Sequence, residues 1–172
     1  SVKNSPNSPI AAVSLPDGEK ASSVACCDDS VVVLSSNGRV FTSPIEEGSS
    51  VLNFSIVSEL SGQEIVCVSG TYDHFLAVSK EGRVFGRGSN EDGQLCLGEE
   101  TKSVSSFTEI SSLVGYEIRA AYAGSGHSLF ETREGKILSC GDNGYGQLLL
   151  SSGPSFEKVY SPRETIITGG AT

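Results

Sequence analysis

Residues 74–95 read HFLAVSKEGRVFGRGSNEDGQL and residues 127–148 read HSLFETREGKILSCGDNGYGQL. Laid one above the other at a constant offset of 53, they place His74 on His127, Gly82 on Gly135, Gly88 on Gly141, Asn90 on Asn143, Gly93 on Gly146, Gln94 on Gln147 and Leu95 on Leu148. The same offset continues upstream, pairing Ile65 with Ile118 and Phe54 with Phe107. So many identities at one spacing mark an internal repeat. A period near 50 residues is that of a solenoid or propeller, in which no unit can bury its apolar face alone.

An earlier and shorter copy precedes these at an offset of 44, matching Ile10 to Phe54, Gly38 to Gly82 and Val40-Phe41 to Val84-Phe85. It has Ser30 where the others have His74 and His127, and it lacks the nine residues of the Gly-Gln-Leu segment. At the other end, Thr165–Thr172 resembles the opening of a further copy. The expected organisation is a linker or frayed terminus at 1–9 and a repeat domain at 10–172, with copies at about 10–53, 54–106 and 107–159 and a partial fourth at 160–172.

Within one copy, Phe54–Val57, Ile65–Ser69, His74–Ser79 and Arg83–Arg87 are short, apolar or alternating, and bounded by Gly, Asn and Ser, as strands are. Phe107–Ile110, Ile118–Ala123, His127–Thr132 and Lys136–Cys140 form the next set. Ser79-Lys-Glu-Gly82 and Thr132-Arg-Glu-Gly135 predict tight hairpin turns, with Gly supplying a positive φ. Four strands per unit predicts an all-β chain of propeller blades, about three four-stranded antiparallel blades and the start of a fourth.

Composition agrees. Gly (20) is enriched over the roughly 7% of an average chain, as tight turns require. A chain of 172 residues can bury a core without disulfides or a structural metal. A net charge of −9 disfavours direct nucleic-acid or anionic-membrane binding, and no apolar run approaches the ~18 residues of a membrane span. The five cysteines, Cys26, Cys27, Cys67, Cys96 and Cys140, form no C-x-x-C pair and no zinc spacing. Such an odd set predicts reduced thiols and an intracellular setting, cytoplasm or nucleus.

The string Gly82-Arg-Val-Phe-x-x-Gly88-x-Asn90-x-x-Gly93-Gln94-Leu95-x-x-Gly98, with His74 eight residues before Gly82, resembles the repeat of the regulator of chromosome condensation family. The copy from His127 to Leu148 resembles it equally. The resemblance implies part of a seven-bladed β-propeller. The chain departs from the pattern at Arg87 and Cys140, where the family often has Trp, and at Cys96, Leu149 and Ser151, where Gly is expected.

Each candidate site has a plainer structural reading. His74 and His127 would suit acid–base or metal chemistry, but recurrence at one repeat position predicts a blade role, donation to a carbonyl beside Gly70 and Gly124. The turns holding Gln94 and Gln147 could cradle a phosphate, yet no Gly-Lys-Ser/Thr and no helix follows. An Asx-type turn at Asn90 and Asn143 explains them without a ligand. Cys26-Cys27 lacks a cause of thiolate activation and reads as small buried or half-buried apolar residues. Glu46-Glu47, Glu91-Asp92 and Glu99-Glu100 read as solvated loops, and Asn53-Phe-Ser55 as an accidental glycosylation acceptor.

No catalytic, cofactor-binding or metal site is therefore expected, and no cofactor. The expected function is a non-enzymatic interaction scaffold, with Tyr72, Asp73, Glu91, Asp92 and Tyr145 as candidate partner-contact residues in the loops. The alternative implied by the resemblance is guanine-nucleotide exchange on a small GTPase of the nuclear-transport type. Open blade edges further predict self-association or further blades in a longer parent chain.

Overall fold

A computed structural model describes residues 14–48, 52–150 and 157–165. The terminus at 1–9 and most of the fourth copy, residues 166–172, lie outside them. Twelve strands follow in order: β1 (Ala21–Cys26), β2 (Ser30–Ser35), β3 (Val40–Pro44), β4 (Ser55–Ile56), β5 (Ile65–Thr71), β6 (His74–Ser79), β7 (Val84–Ser89), β8 (Ser103–Glu109), β9 (Ile118–Ala123), β10 (His127–Thr132), β11 (Ile137–Asp142) and β12 (Lys158–Glu164). They form three four-stranded antiparallel sheets, β1 to β4, β5 to β8 and β9 to β12, each in sequence order. This is a partial β-propeller. None of the described helices, all of them short 3₁₀ turns, is long and apolar enough to cross a membrane.

The phase of the repeat needs correcting. The segment at 54–57, read as the first strand of the second unit, is the last strand of the first blade: Phe41 pairs with Ile56 and Thr42 with Ser55. Likewise Phe107 lies in β8 of the second blade, and Tyr160, one further offset of 53 along, lies in β12 of the third. The reason lies in the connections. β5, β6 and β7 are joined by tight turns, whereas β4 is separated from β5 by a 3₁₀ turn (Ser58–Leu60) that buries Leu60 and carries the chain to the next blade. The Ile65 amide then donates to the Gly38 carbonyl of the first blade at 3.0 Å. A periodic sequence fixes the period but not where a blade begins.

Alternation within a strand assigns side chains to opposite interfaces. All six residues of β6 are buried. Phe75 and Ala77 pack with Val32, Leu34 and Val40 of the first blade, while Leu76 and Val78 pack with Ala121, Phe130 and Leu138 of the third. β1, β5 and β9 lie side by side, forming the inner edge of the array. The third blade turns a different face outward: Glu131 stands where Val78 does one offset earlier, paired with Arg119.

The hairpins form as expected, with Gly38, Gly82 and Gly135 at φ +76°, +83° and +84°. In each, the hydroxyl three residues before the Gly (Ser35, Ser79, Thr132) accepts the amide just after it, at 3.1 to 3.2 Å. Gly88 and Gly98 show two different uses of positive φ. At Gly88 (φ +111°) an added Cβ would lie 2.1 Å from the Asp73 carbonyl oxygen, whereas at Gly98 (φ +82°) it would meet nothing within 4 Å. Gly98→Ala is expected to cost about 1 kcal/mol, the left-handed backbone penalty alone. Gly88→Ala adds a clash with backbone and is expected to cost about 3 kcal/mol. Urea unfolding of the two variants measures the difference, and equal midpoints would contradict it.

Candidate functional site

The β1–β2, β5–β6 and β9–β10 turns and the segments after β7 and β11 gather at the end of the blades opposite the hairpin glycines. Asn90 is fully buried there. Its Nδ2 donates to the carbonyls of Gly98 (2.9 Å) and Thr101 (2.6 Å), and its Oδ1 accepts the Leu95 amide at 2.9 Å. This differs from the Asx-type turn expected from the sequence. The Asn spans the whole loop because Leu95 must be pulled down into the interface core, and Gln94 Oε1 takes the Asp92 amide at 3.0 Å instead. Asn143 and Gln147 do the same in the third blade, accepting the amides of Leu148 (3.2 Å) and Tyr145 (2.8 Å).

The histidines also differ from expectation. His74 does not bond the carbonyl beside Gly70. Its Nε2 lies 3.0 Å from Ser128 Oγ on the neighbouring blade, and Ser128 in turn donates to the Gln94 carbonyl at 2.6 Å. The His74 ring thus sits between Ser128 of the third blade and the neighbouring Asp73. Its Nδ1 faces Asp73 Oδ1 at 3.2 Å. Phe75, not a histidine, occupies the space over Gly70, while the His127 ring lies directly on Gly124, leaving no room there for a Cβ. Burial lowers the pKa of His74 and, in the same direction, of His127.

The thiol expectation is corrected as well. Cys96, in the Gln-Leu turn of the second blade, is disulfide-bonded to Cys140 on β11 of the third, with Cα atoms 5.9 Å apart. Inter-blade register brings together two residues 44 apart, which no local spacing could reveal, and the cysteine count carries no argument about compartment. Of the Cys26-Cys27 pair, Cys26 is exposed, contrary to expectation, and Cys27 is buried with its thiol pushed up to about 12 by burial, so it stays protonated. Among the described residues no three His, Cys, Asp or Glu converge as a metal-binding set.

Two departures from the repeat meet at the first interface, a pairing that the sequence reading missed. Arg87 donates to Ser30 Oγ at 2.6 Å, and its guanidinium lies 5.0 Å from the Phe75 ring centre and 5.8 Å from that of Phe107. The signal was there: Ser30 replaces the repeat histidine and Arg87 stands in the position that holds Cys140.

Profiles described as the regulator of chromosome condensation (RCC1) repeat match residues 65–94, 118–147 and 81–130. Residues 65–147 belong to the regulator of chromosome condensation repeat family. Its similarity to a Bos taurus secretion-regulating guanine nucleotide exchange factor is 40% identity over 87 residues, 51% of this chain and 18% of that protein. Similarity to the human probable E3 ubiquitin-protein ligase HERC4 is 40% over 95 residues, 55% of this chain and 9% of the ligase. The chain thus spans less than a fifth of these relatives. In fold it resembles Prp20p from Saccharomyces cerevisiae (TM-score 0.71, 21% identity, covering 90% of this chain and 38% of that one) and human WBSCR16 (TM-score 0.69, 22% identity, 85% and 38%).

Of the loop residues singled out in the repeats, Tyr145 is 96% and Tyr72 61% exposed. Asp92 pairs with Lys158 at 2.7 Å and Asp73 receives Gln94 Nε2 at 3.3 Å, so both are engaged within the chain. Glu91 has an exposed side chain, and its carbonyl accepts the Tyr160 hydroxyl at 3.2 Å. At the hairpin end, a groove at Arg83, Ile110 and Leu113 has its repeat equivalent at Arg39, Val57 and Leu60, so it belongs to the scaffold.

Two expectations follow. The unfolded chain protonates its histidines near 6.5, whereas folding lowers both values, so their contribution to stability is present above pH 6.5 and is lost as pH falls through the folded values. The melting temperature should fall between pH 7.5 and 5.5, and His74→Gln should flatten that dependence; an unchanged slope would count against the assignment. Separately, replacing Cys96 and Cys140 by Ser, closing no 44-residue loop, should cost about 4 kcal/mol. A reductant should lower the melting temperature of the native chain and leave the double variant unmoved.

Proposed function

We propose that this chain is a non-enzymatic propeller segment whose loop end binds a protein partner. The observation that carries the reading is a division of labour. Repeated residues (His74, Asn90, Gln94, Leu95, Asn143, Leu148) are spent on bonds within and between blades, whereas Tyr72 and Tyr145, which do not repeat, present aromatic rings to solvent at one end. Exposed aromatics on rigidly held loops are the side chains that anchor protein interfaces. The similarities support it: one stretch is shared with a protein named as an exchange factor and with others named as ubiquitin ligases. A segment common to different named activities fits recognition better than chemistry. A charge of −9 favours a basic protein surface over nucleic acid.

Guanine-nucleotide exchange on a small GTPase is the second reading, favoured by the 40% identity to the bovine exchange factor and by the likeness to Prp20p, studied for its binding to Gsp1p and histones. Exchange acts by remodelling the partner's nucleotide site, so it needs no nucleophile here. The outer faces of the first and third blades would be covered by further blades of a parent chain or by a second copy. A release assay with fluorescent GDP on a panel of small GTPases separates the readings. The scaffold reading expects rates at the intrinsic value, and stimulation well above it would replace that reading with the exchange factor.

A further inference from the structure

The two blade interfaces are built on one plan, but among the described residues only one of them is filled by a turn. Between the second and third blades the turn Gly93-Gln94-Leu95-Cys96 enters the interface. Gln94, Leu95 and Cys96 are buried, the Gln94 carbonyl accepts from Ser128, and a Cβ on Gly93 would lie 2.6 Å from the Val159 carbonyl oxygen. The wall receiving this turn includes Ser128 and Cys140, with Gly126 and Gly141 close beside them in sequence; one offset of 53 earlier, Gly126, Ser128, Cys140 and Gly141 correspond to Asp73, Phe75, Arg87 and Gly88. Those four residues line a cleft of about 240 Å³ between the first and second blades, closed on the other side by Cys27, Asp28 and Asp29. The cleft exists because the first copy lacks the nine residues that would supply its Gln-Leu turn.

Arg87 does not fill the space. Its stacking on Phe75 and Phe107 and its bond to Ser30 hold the guanidinium against the floor. At the rim, the Asp28 and Asp29 side chains are exposed, Asp73 is partly so, and the Tyr72 ring stands open beside them.

Resting on the scaffold reading, we propose that this cleft receives a turn of a partner protein that carries a lysine or arginine. The shape of the occupant is shown by the neighbouring interface, where the equivalent slot holds a polypeptide turn. Its chemistry follows from the lining. A backbone carbonyl entering as that of Gln94 does meets Arg87, which stands at the position of Cys140, whose Sγ lies 3.6 Å from the Gln94 carbonyl, while Phe75 replaces Ser128. A basic side chain at the rim meets the exposed carboxylates of Asp28 and Asp29 and the face of Tyr72, combining ion pairing with a cation–π contact. The hairpin-end grooves lack this asymmetry, since both interfaces carry them.

The probe is a displayed library of random disulfide-looped heptapeptides, panned on the 172-residue chain. Enriched peptides should be rich in Lys and Arg. Their affinity should fall about tenfold in the Asp28→Asn/Asp29→Asn variant and independently in Tyr72→Ala, but not in Tyr145→Ala. Wild-type melting temperatures qualify each variant, and either of the two suffices for the decision. Peptides that bind all cleft variants equally, or that are lost on Tyr145→Ala alone, overturn the cleft and leave the scaffold reading standing. No enrichment over empty wells overturns both.

Discussion

A four-stranded sheet whose middle strand is apolar on both faces cannot fold by itself. β6 places Phe75 and Ala77 on one side and Leu76 and Val78 on the other, so the second blade is stable only when sandwiched between neighbours. Much else depends on that requirement. The last strand of each sheet is drawn from the following copy, which ties successive repeats together through backbone pairing as well as through side chains. The 3₁₀ turns with buried Leu60 and Leu113 are the corners at which the chain leaves one blade and enters the next.

Polar groups at the interfaces are matched to this sandwich rather than to a ligand. His74, Ser128 and the Gln94 carbonyl form a chain of bonds between the second and third blades, buried where an unpaired partner would cost about 1–3 kcal/mol. The Cys96–Cys140 bond reinforces the same contact. At the first interface, where the Gln-Leu turn is missing, Ser30 and Arg87 form a different closure and leave a cleft behind. Among the described residues, one repeat plan has thus produced one tightly closed interface and one open one.

Much of the fold was legible from the offset of 53, since identities at Gly82, Asn90, Gly93 and Gln94 fix turns at regular places. The strand bounds of β6, β9 and β10 agree with the sequence reading because each is flanked by Gly or Asp turn residues. What was misread shares one cause. The blade phase, the partner of His74, the reach of Asn90 and the disulfide all depend on what lies across an interface, and a repeat alignment compares a residue with its equivalent, never with its neighbour.

The sequence by itself determined the period, the all-β class, the hairpin glycines and the absence of a Gln-Leu turn in the first copy. Turn geometry and strand alternation are local properties that a few adjacent residues dictate. Only the tertiary structure decided that the missing turn leaves a cleft, that Arg87 lies on its floor and that Tyr72 stands open at its rim. These are contacts between blades more than 40 residues apart, set by how the sheets stack, and stacking is not written in the order of residues along any single strand.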